Sequence, residues 1–172
     1  MPTKPAGERI IQANVGLTGV FAATAVYAAV VFDTTAQWVG AATAMTLFAI
    51  GVFAFIASYW AAVQRSRTQQ IAVSQLYLLL GPAVPARVTR TMLGLLGVQF
   101  AVALVTTLAR PNGPEGSPGS SLAVGFLVPM LGFGLNGVWA SRHGEFAART
   151  DLPGDPVVRE SEPQIGQNAE HG

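Results

Sequence analysis

Two carboxamides, Gln99 and Asn136, are the polar side chains set deepest in the apolar stretches of this sequence, and Asn14, Thr18 and Thr24 lie in the first of those stretches. An amide donates and accepts hydrogen bonds but does not titrate, so it can recognise or glue and cannot move a proton. The commoner use in a membrane is interhelical hydrogen bonding, worth about 0.6 kcal/mol per pair. The sharper reading is a binding site built on Gln99 and Asn136, with Asn14 as a further polar contact. No Asp, Glu, Lys, Arg or His interrupts those apolar stretches. Ionisable groups at depth are costly and mark ion and proton pathways where they occur. Proton-coupled transport therefore lacks its usual titratable group here, and a four-helix multidrug exporter would lack its embedded glutamate. The chain has no cysteine, which removes disulfides, thiolate catalysis and quinone-linked thiol chemistry. Haem-b bundles need intramembrane histidines, which are also missing. His143 and His171 have no partner at metal-ligand spacing, and no G-x-S-x-G, P-loop or H-E-x-x-H occurs. Neither a cofactor nor a metal is expected.

The elements that must position these amides follow from charge. Of 172 residues, 51% are hydrophobic and 11% charged, against about 25% charged in a soluble domain. Four windows carry no charge: 10–32, 34–64, 91–109 and 116–141. Each meets the roughly 20 residues needed to cross a hydrocarbon core of about 30 Å. The sequence therefore predicts an all-α integral membrane protein, a bundle of four transmembrane helices over about 12–32, 38–60, 91–108 and 121–140. Residues 1–9 form a short N-terminal segment. Trp38 and Trp60 bracket the second span, and 22 steps at ~1.5 Å put them ~33 Å apart, the separation of two interfacial belts. The short connection after Phe32 makes the first two spans an antiparallel hairpin. Proline- and glycine-rich RPNGPEGSPGS (110–120) is an exposed loop, and Pro129 is expected to bend the fourth span. The region 141–172, with three prolines and six acidic residues, reads as a disordered tail. Lys4 and Arg9 before an apolar run mimic a signal peptide, but the run continues to Phe32 and Gln12 and Asn14 weaken its start, so retention is expected. No internal repeat is evident.

The run Ile71–Ala86 decides the topology. If it is not a span, Lys4 and eight arginines share one side and Arg110 alone faces the other; as a fifth span it would split the ten basic residues evenly. Positive charge collects on the cytoplasmic side, so the four-span arrangement is favoured, with both termini in the cytoplasm of a plasma membrane. Sixteen residues also reach only about 24 Å. Pro82 and Pro85 end any helix near Gly81. Ala72, Val73, Leu76, Leu79 and Leu80 fall on one face of a helical wheel, which predicts an amphipathic interfacial helix over about 67–81. Arg65, Arg67, Arg87 and Arg90 flank it as candidate contacts to anionic headgroups, at about 1 kcal/mol each.

Small residues supply the packing signals. Gly40 and Ala44 form a small-xxx-small pair, and Gly132, Gly134 and Gly137 crowd the fourth span, which suits close helix approach. The segments SQLYLLLGPAVPARVTRTMLG (74–94) and GFGLNGVWASRHGEF (132–146) resemble parts of small four-span membrane proteins of high-GC actinobacteria, a resemblance in keeping with the arginine-rich composition. It implies a location and a topology and carries no activity. Three functions are compatible with these residues. The first is a non-enzymatic accessory or scaffold component of a membrane complex, with the bilayer, a membrane-protein partner or a second copy as partners. The second is an oligomeric transport element lined by Gln99, Asn136 and the glycine-rich fourth span. The third is a lipid-modifying enzyme, for which only Arg87, Arg90, Arg142, His143 and Glu145 are candidates. No basic patch interleaved with aromatics points to nucleic acid.

Overall fold

The computed structural model describes residues 5–113 and 120–149. Its helices are α1 (Pro5–Val31), α2 (Thr34–Arg65), α3 (Val73–Tyr77), α4 (Ala86–Ala109) and α5 (Pro129–His143), with a 3-10 helix, Ser121–Leu127, directly before α5. Among the described residues the only β-type pairing is an isolated antiparallel bridge between Gln69 and Ala148. At ~1.5 Å per residue α1, α2 and α4 extend about 40, 48 and 36 Å. Each exceeds a hydrocarbon core of about 30 Å, and all three windows have the apolarity of a membrane span.

Local sequence sets the ends. Pro5 opens α1, where its missing N–H costs nothing, and Glu8 in the first turn suits the helix dipole. Asp33 starts α2 by accepting the Ala36 amide at 2.6 Å, so the hairpin turn narrows to Phe32 and Asp33. At the same end Arg110 donates to the Ala29 carbonyl at 3.1 Å and lies over the Phe32 ring. This satisfies one of the carbonyls that a helix C-terminus leaves without a partner.

The fourth span changes helix type where a bend was expected. In a continuous α-helix the Gly125 carbonyl would accept from residue 129, but Pro129 has no N–H. The Val128 amide takes that carbonyl instead at 3.0 Å, a three-residue step, and α5 begins afresh with Pro129 in its first turn. Seven residues at ~2 Å and fifteen at ~1.5 Å still cover about 36 Å.

This span is the centre of the bundle. Half of its apolar window is buried inside the protein, against 22–28% for the other three. Two apolar clusters pack along it. One, at the Phe32–Arg110 end, contains Phe21, Ala25, Ala44, Leu47, Ala103, Val128 and Leu131. The other joins Ala62, Leu76, Tyr77, Leu79, Met92 and Trp139 at the opposite end. That second end holds the start of α1, the end of α2, α3, the start of α4 and the end of α5, and is called the cap end below.

Candidate functional site

Gln99 and Asn136, which the sharper reading joins in one site, go to different partners. Asn14 and Thr18 lie one helical turn apart on α1 and face Gln99 of α4. The Gln99 Nε2 donates to Thr18 Oγ1 at 2.8 Å and to Asn14 Oδ1 at 3.3 Å. Thr18 also donates to Asn14 Oδ1 at 3.4 Å, and Asn14 Nδ2 approaches the Met92 sulfur at 3.6 Å. All three polar side chains are buried. Asn136 instead donates to the Tyr77 carbonyl at 3.0 Å, tying α5 to α3. Gln99 Oε1 and Asn136 Oδ1 have no hydrogen-bond donor among the described residues. The Gln99 oxygen sits over Gly132, where an added Cβ would come within 2.8 Å of it. One amide thus spans three helices, donating to α1 and resting on the bare backbone of α5.

That bare backbone belongs to a seam between α5 and α2. A Cβ on Gly134 would lie 2.9 Å from Ala54 Cβ and 3.1 Å from the Phe55 amide nitrogen, and would collide with the Gly51 carbonyl. A Cβ on Gly137 would fall 2.7 Å from Tyr77 Cε1 and collide with Ser58 Oγ, and one on Gly51 would fall 2.6 Å from the Met130 carbonyl carbon. Only glycine permits this approach of main chain to main chain. Gly40, by contrast, faces α1 at Ala28, and the buried Ala44 packs in the cluster around Phe21. The residues that oppose the α5 glycines, Gly51 and Ser58, were not singled out by the small-xxx-small search. They belong to a longer pattern of buried positions, Ala44, Leu47, Gly51, Ser58 and Ala62, spaced at three, four and seven residues. That is the spacing of a narrow helix–helix seam.

The cap end gathers the charged chemistry. The expected amphipathic helix over 67–81 is a single helical turn, Val73–Tyr77, inside a compact folded loop. Leu79 at φ +52° and Gly81 at φ +90° reverse the chain directly afterwards, and the Leu80 amide closes back on the Ser74 carbonyl. Helical propensity in this run yields to burial. Leu76, Tyr77 and Leu79 insert among Ala62, Met92 and Trp139, while Ala72, Val73 and Leu80 of the same expected face stay exposed. Tyr77 stacks on Phe55 of α2 with ring centroids 4.2 Å apart. Burial pushes the Tyr77 phenol above its ordinary pKa, Tyr59 adds to the rise and a hydrogen bond with Ser58 opposes it.

Arg65 holds this cap to α5. Its Nη1 donates to the Ser141 carbonyl at 2.7 Å, Nη2 to Gly144 at 3.0 Å and Nε to Gln69 Oε1 at 3.1 Å, and the guanidinium lies over Phe146. Ser141 lies in the last turn of α5 and Gly144 is its C-cap, where a cation is favoured. Arg67, Arg87 and Arg90 are exposed. The last two stand in the first turns of α4, which begins five residues earlier than the expected span. The chain beyond α5 also belongs to the fold. Glu145 donates its amide to the Ala83 carbonyl, Gln70 to Ala147, and Arg149 to Thr68. Residues 141–149 are therefore part of the cap, and the remainder of the expected tail, 150–172, lies outside the described residues.

Between these strands of chain lies a groove of about 660 Å³ lined by Ser66, Gln69, Gln75, Phe146 and Arg149, among others. Its size falls within the range of small-ligand and peptide sites. His143 is half-buried against Trp139 and the start of α1 near Gly7. Its Nδ1 lies 3.3 Å from the Trp139 carbonyl, away from Glu145 and Arg149 on the groove. Among the described residues no three His, Cys, Asp or Glu side chains are grouped to hold a metal ion.

These features define an all-helical multi-pass membrane protein whose four spans are sealed by a glycine seam and closed at one end by a folded cap. No family model, curated protein or solved structure matches the chain.

Proposed function

We propose that the protein is a non-enzymatic accessory or scaffold component of a bacterial plasma-membrane complex, and that its working surface is the cap. Both termini and the cap face the cytoplasm in this reading, with Arg67, Arg87 and Arg90 against anionic headgroups. The observation that carries it is the placement of polar chemistry. The groove and the exposed arginines lie at the cap end, whereas the amides in the bundle donate to neighbouring helices. Arg87 and Arg90 supply a second support. Arg87, in the first turn of α4, opposes the macrodipole at a cost of about 0.3–1 kcal/mol, an effect that has fallen off by Arg90. Anionic headgroups, at about 1 kcal/mol per arginine, would offset that cost.

The transport alternative has less support from the geometry. For Gln99 and Asn136 to line a path, both would have to leave their present acceptors, and α5 would have to part from α2 at Gly51 and Gly134. The enzyme alternative places His143 and Glu145 in separate surroundings. The test is extraction in mild detergent followed by affinity capture. A larger complex in fixed stoichiometry is expected, and a lone monomer would refute the accessory role. Orientation has its own check: a periplasm-active reporter fused after Ala86 should stay silent.

A further inference from the structure

Charge is divided along this chain. Nine basic and four acidic residues occupy positions 1–149, leaving +5, whereas one basic and five acidic residues occupy 150–172, leaving −4. The near-neutral total conceals two opposed parts. The positive part is concentrated in space as well, since Arg65, Arg67, Arg87, Arg90, Arg142 and Arg149 all lie at the cap end.

The groove is where the two parts meet. Arg149, the last residue described in this direction, lines it. Arg149 is fixed there by its amide on the Thr68 carbonyl at 3.0 Å and its Nη1 on the Ser66 carbonyl at 3.0 Å. Whatever follows must set out from the rim of the groove. An extended chain advances about 3.3 Å per residue, so a dozen residues span about 40 Å. Arg149 lines the groove, Glu145 is the acidic residue on its wall, and Arg67 and Arg142 are exposed outside it at the same end. Asp151, Asp155, Glu160 and Glu162 fall within that length, and Leu152, Val157 and Val158 supply apolar side chains between them. The walls match both kinds: Ile71, Ala83 and Phe146 are apolar, and Gln69 and Gln75 carry amides suited to a peptide backbone.

We propose that the acidic segment 151–162 of the same chain seats along this groove, with its carboxylates toward Arg67, Arg142 and Arg149. The cap is then a surface occupied by its own tail, and a partner or an anionic headgroup must displace that tail to reach it. The inference rests on the charges and the groove and does not require the accessory role.

The cysteine-free chain makes the test direct. Full-length protein carrying Ala72→Cys on the groove and Val157→Cys in the tail is placed in nanodiscs of neutral lipid and treated with a short bismaleimide. The control pairs Val157→Cys with Ala6→Cys, which is exposed at the start of α1, at the same end of the molecule but off the groove. The groove pair should crosslink within one chain about tenfold faster than the control. That advantage should shrink at about 1 M salt, where the screening length falls to about 3 Å, and when the four acidic residues are changed to amides. Equal rates for the two pairs, or a rate indifferent to salt and to charge removal, would overturn the proposal. A product that links two chains would assign the groove to a second copy's tail and overturn it equally. Because the readout is proximity within the chain, it is independent of whether a larger complex is recovered in detergent.

Discussion

Replacing Gly134 with alanine tests whether the α2–α5 seam holds the bundle together. The new Cβ would lie 2.9 Å from Ala54 Cβ and 3.1 Å from the Phe55 amide nitrogen, with the Gly51 carbonyl closer still. Two of these three neighbours are main chain of a long helix, so no side-chain rotation relieves the clash, and α5 must move away from α2. Overpacking of this kind costs about 1–3 kcal/mol, and backbone neighbours place it in the upper part of that range. Alanine returns at most about 1 kcal/mol through helix propensity. The net expectation is a loss of about 1–2 kcal/mol. Gly97→Ala on α4 is the matched control, because a Cβ there meets nothing within 4 Å. It should leave stability unchanged or raise it by up to about 1 kcal/mol. The two variants would be compared by SDS titration in mixed micelles, followed through fluorescence of Trp38, Trp60 and Trp139. Gly134→Ala should lower the midpoint and Gly97→Ala should not. If both variants move the midpoint equally and in one direction, the seam is not a tight contact and the packing described above is wrong.

Three further outcomes follow from the same geometry. Arg65→Gln strands the Ser141 carbonyl at the end of α5 and that of its C-cap Gly144, and removes the stack on Phe146. Hydrogen bonds from charged donors are worth about 1.5–3 kcal/mol each, so hydrogen exchange at the Gln70 and Arg149 amides should accelerate by at least tenfold, and unchanged protection would refute the clamp. Gln99→Leu removes two donated bonds and one unpartnered oxygen. At about 0.6 kcal/mol per interhelical bond it should cost about 1 kcal/mol in the SDS titration, and a loss above about 4 kcal/mol would show that the amide does more than join helices. Tyr77 is held neutral by burial, so its contribution is complete below pH 10.0, the ordinary phenol value. That contribution is lost as pH rises through the higher folded value. The absorbance difference at 295 nm between the unmodified protein and Tyr77→Phe should show a phenol titrating above pH 10.0 together with opening of the cap, and a Tyr77 component titrating at or below pH 10.0 would contradict the burial.

The parts of the fold that were legible in sequence are those that the bilayer itself specifies. Charge-free windows located four spans because hydrocarbon thickness imposes a minimum length whatever the neighbours are. Trp38 and Trp60 fixed the useful length of α2 for the same reason, although the helix runs on for five residues to Arg65. Helix partnership was not legible, because it depends on which bare backbone meets which. Gly132, Gly134 and Gly137 announced themselves by density. Gly51 did not, since in a chain this rich in glycine and alanine a single glycine looks like any other until its opposite number is known. The polar partners were hidden for a related reason: interhelical hydrogen bonding is the commoner use of such amides, but position along a span says nothing of the direction in which Gln99 or Asn136 leaves its helix.

The cap shows where one-dimensional periodicity gives out. Leu76 and Leu79 lie on one face of a wheel whether or not the helix continues, so the pattern could not separate a long surface helix from one turn followed by a reversal. What separates them is the availability of a better place for the apolar side chains. The cavity among Ala62, Met92 and Trp139 is built by three other helices, and filling it with Leu76, Tyr77 and Leu79 buries apolar area that a helix lying on a membrane would share with lipid. Burying a leucine-sized side chain is worth about 1.5–3 kcal/mol. Leu79 in the left-handed region costs about 1–3 kcal/mol, and the burial of three large side chains exceeds it. The same comparison explains why Arg65 differs from Arg67, its neighbour two residues on: the carbonyls of α5 end beside one and not the other. Charge placed all these arginines at one end of the molecule, and only the third dimension sorts the one that holds the cap from those left free to bind.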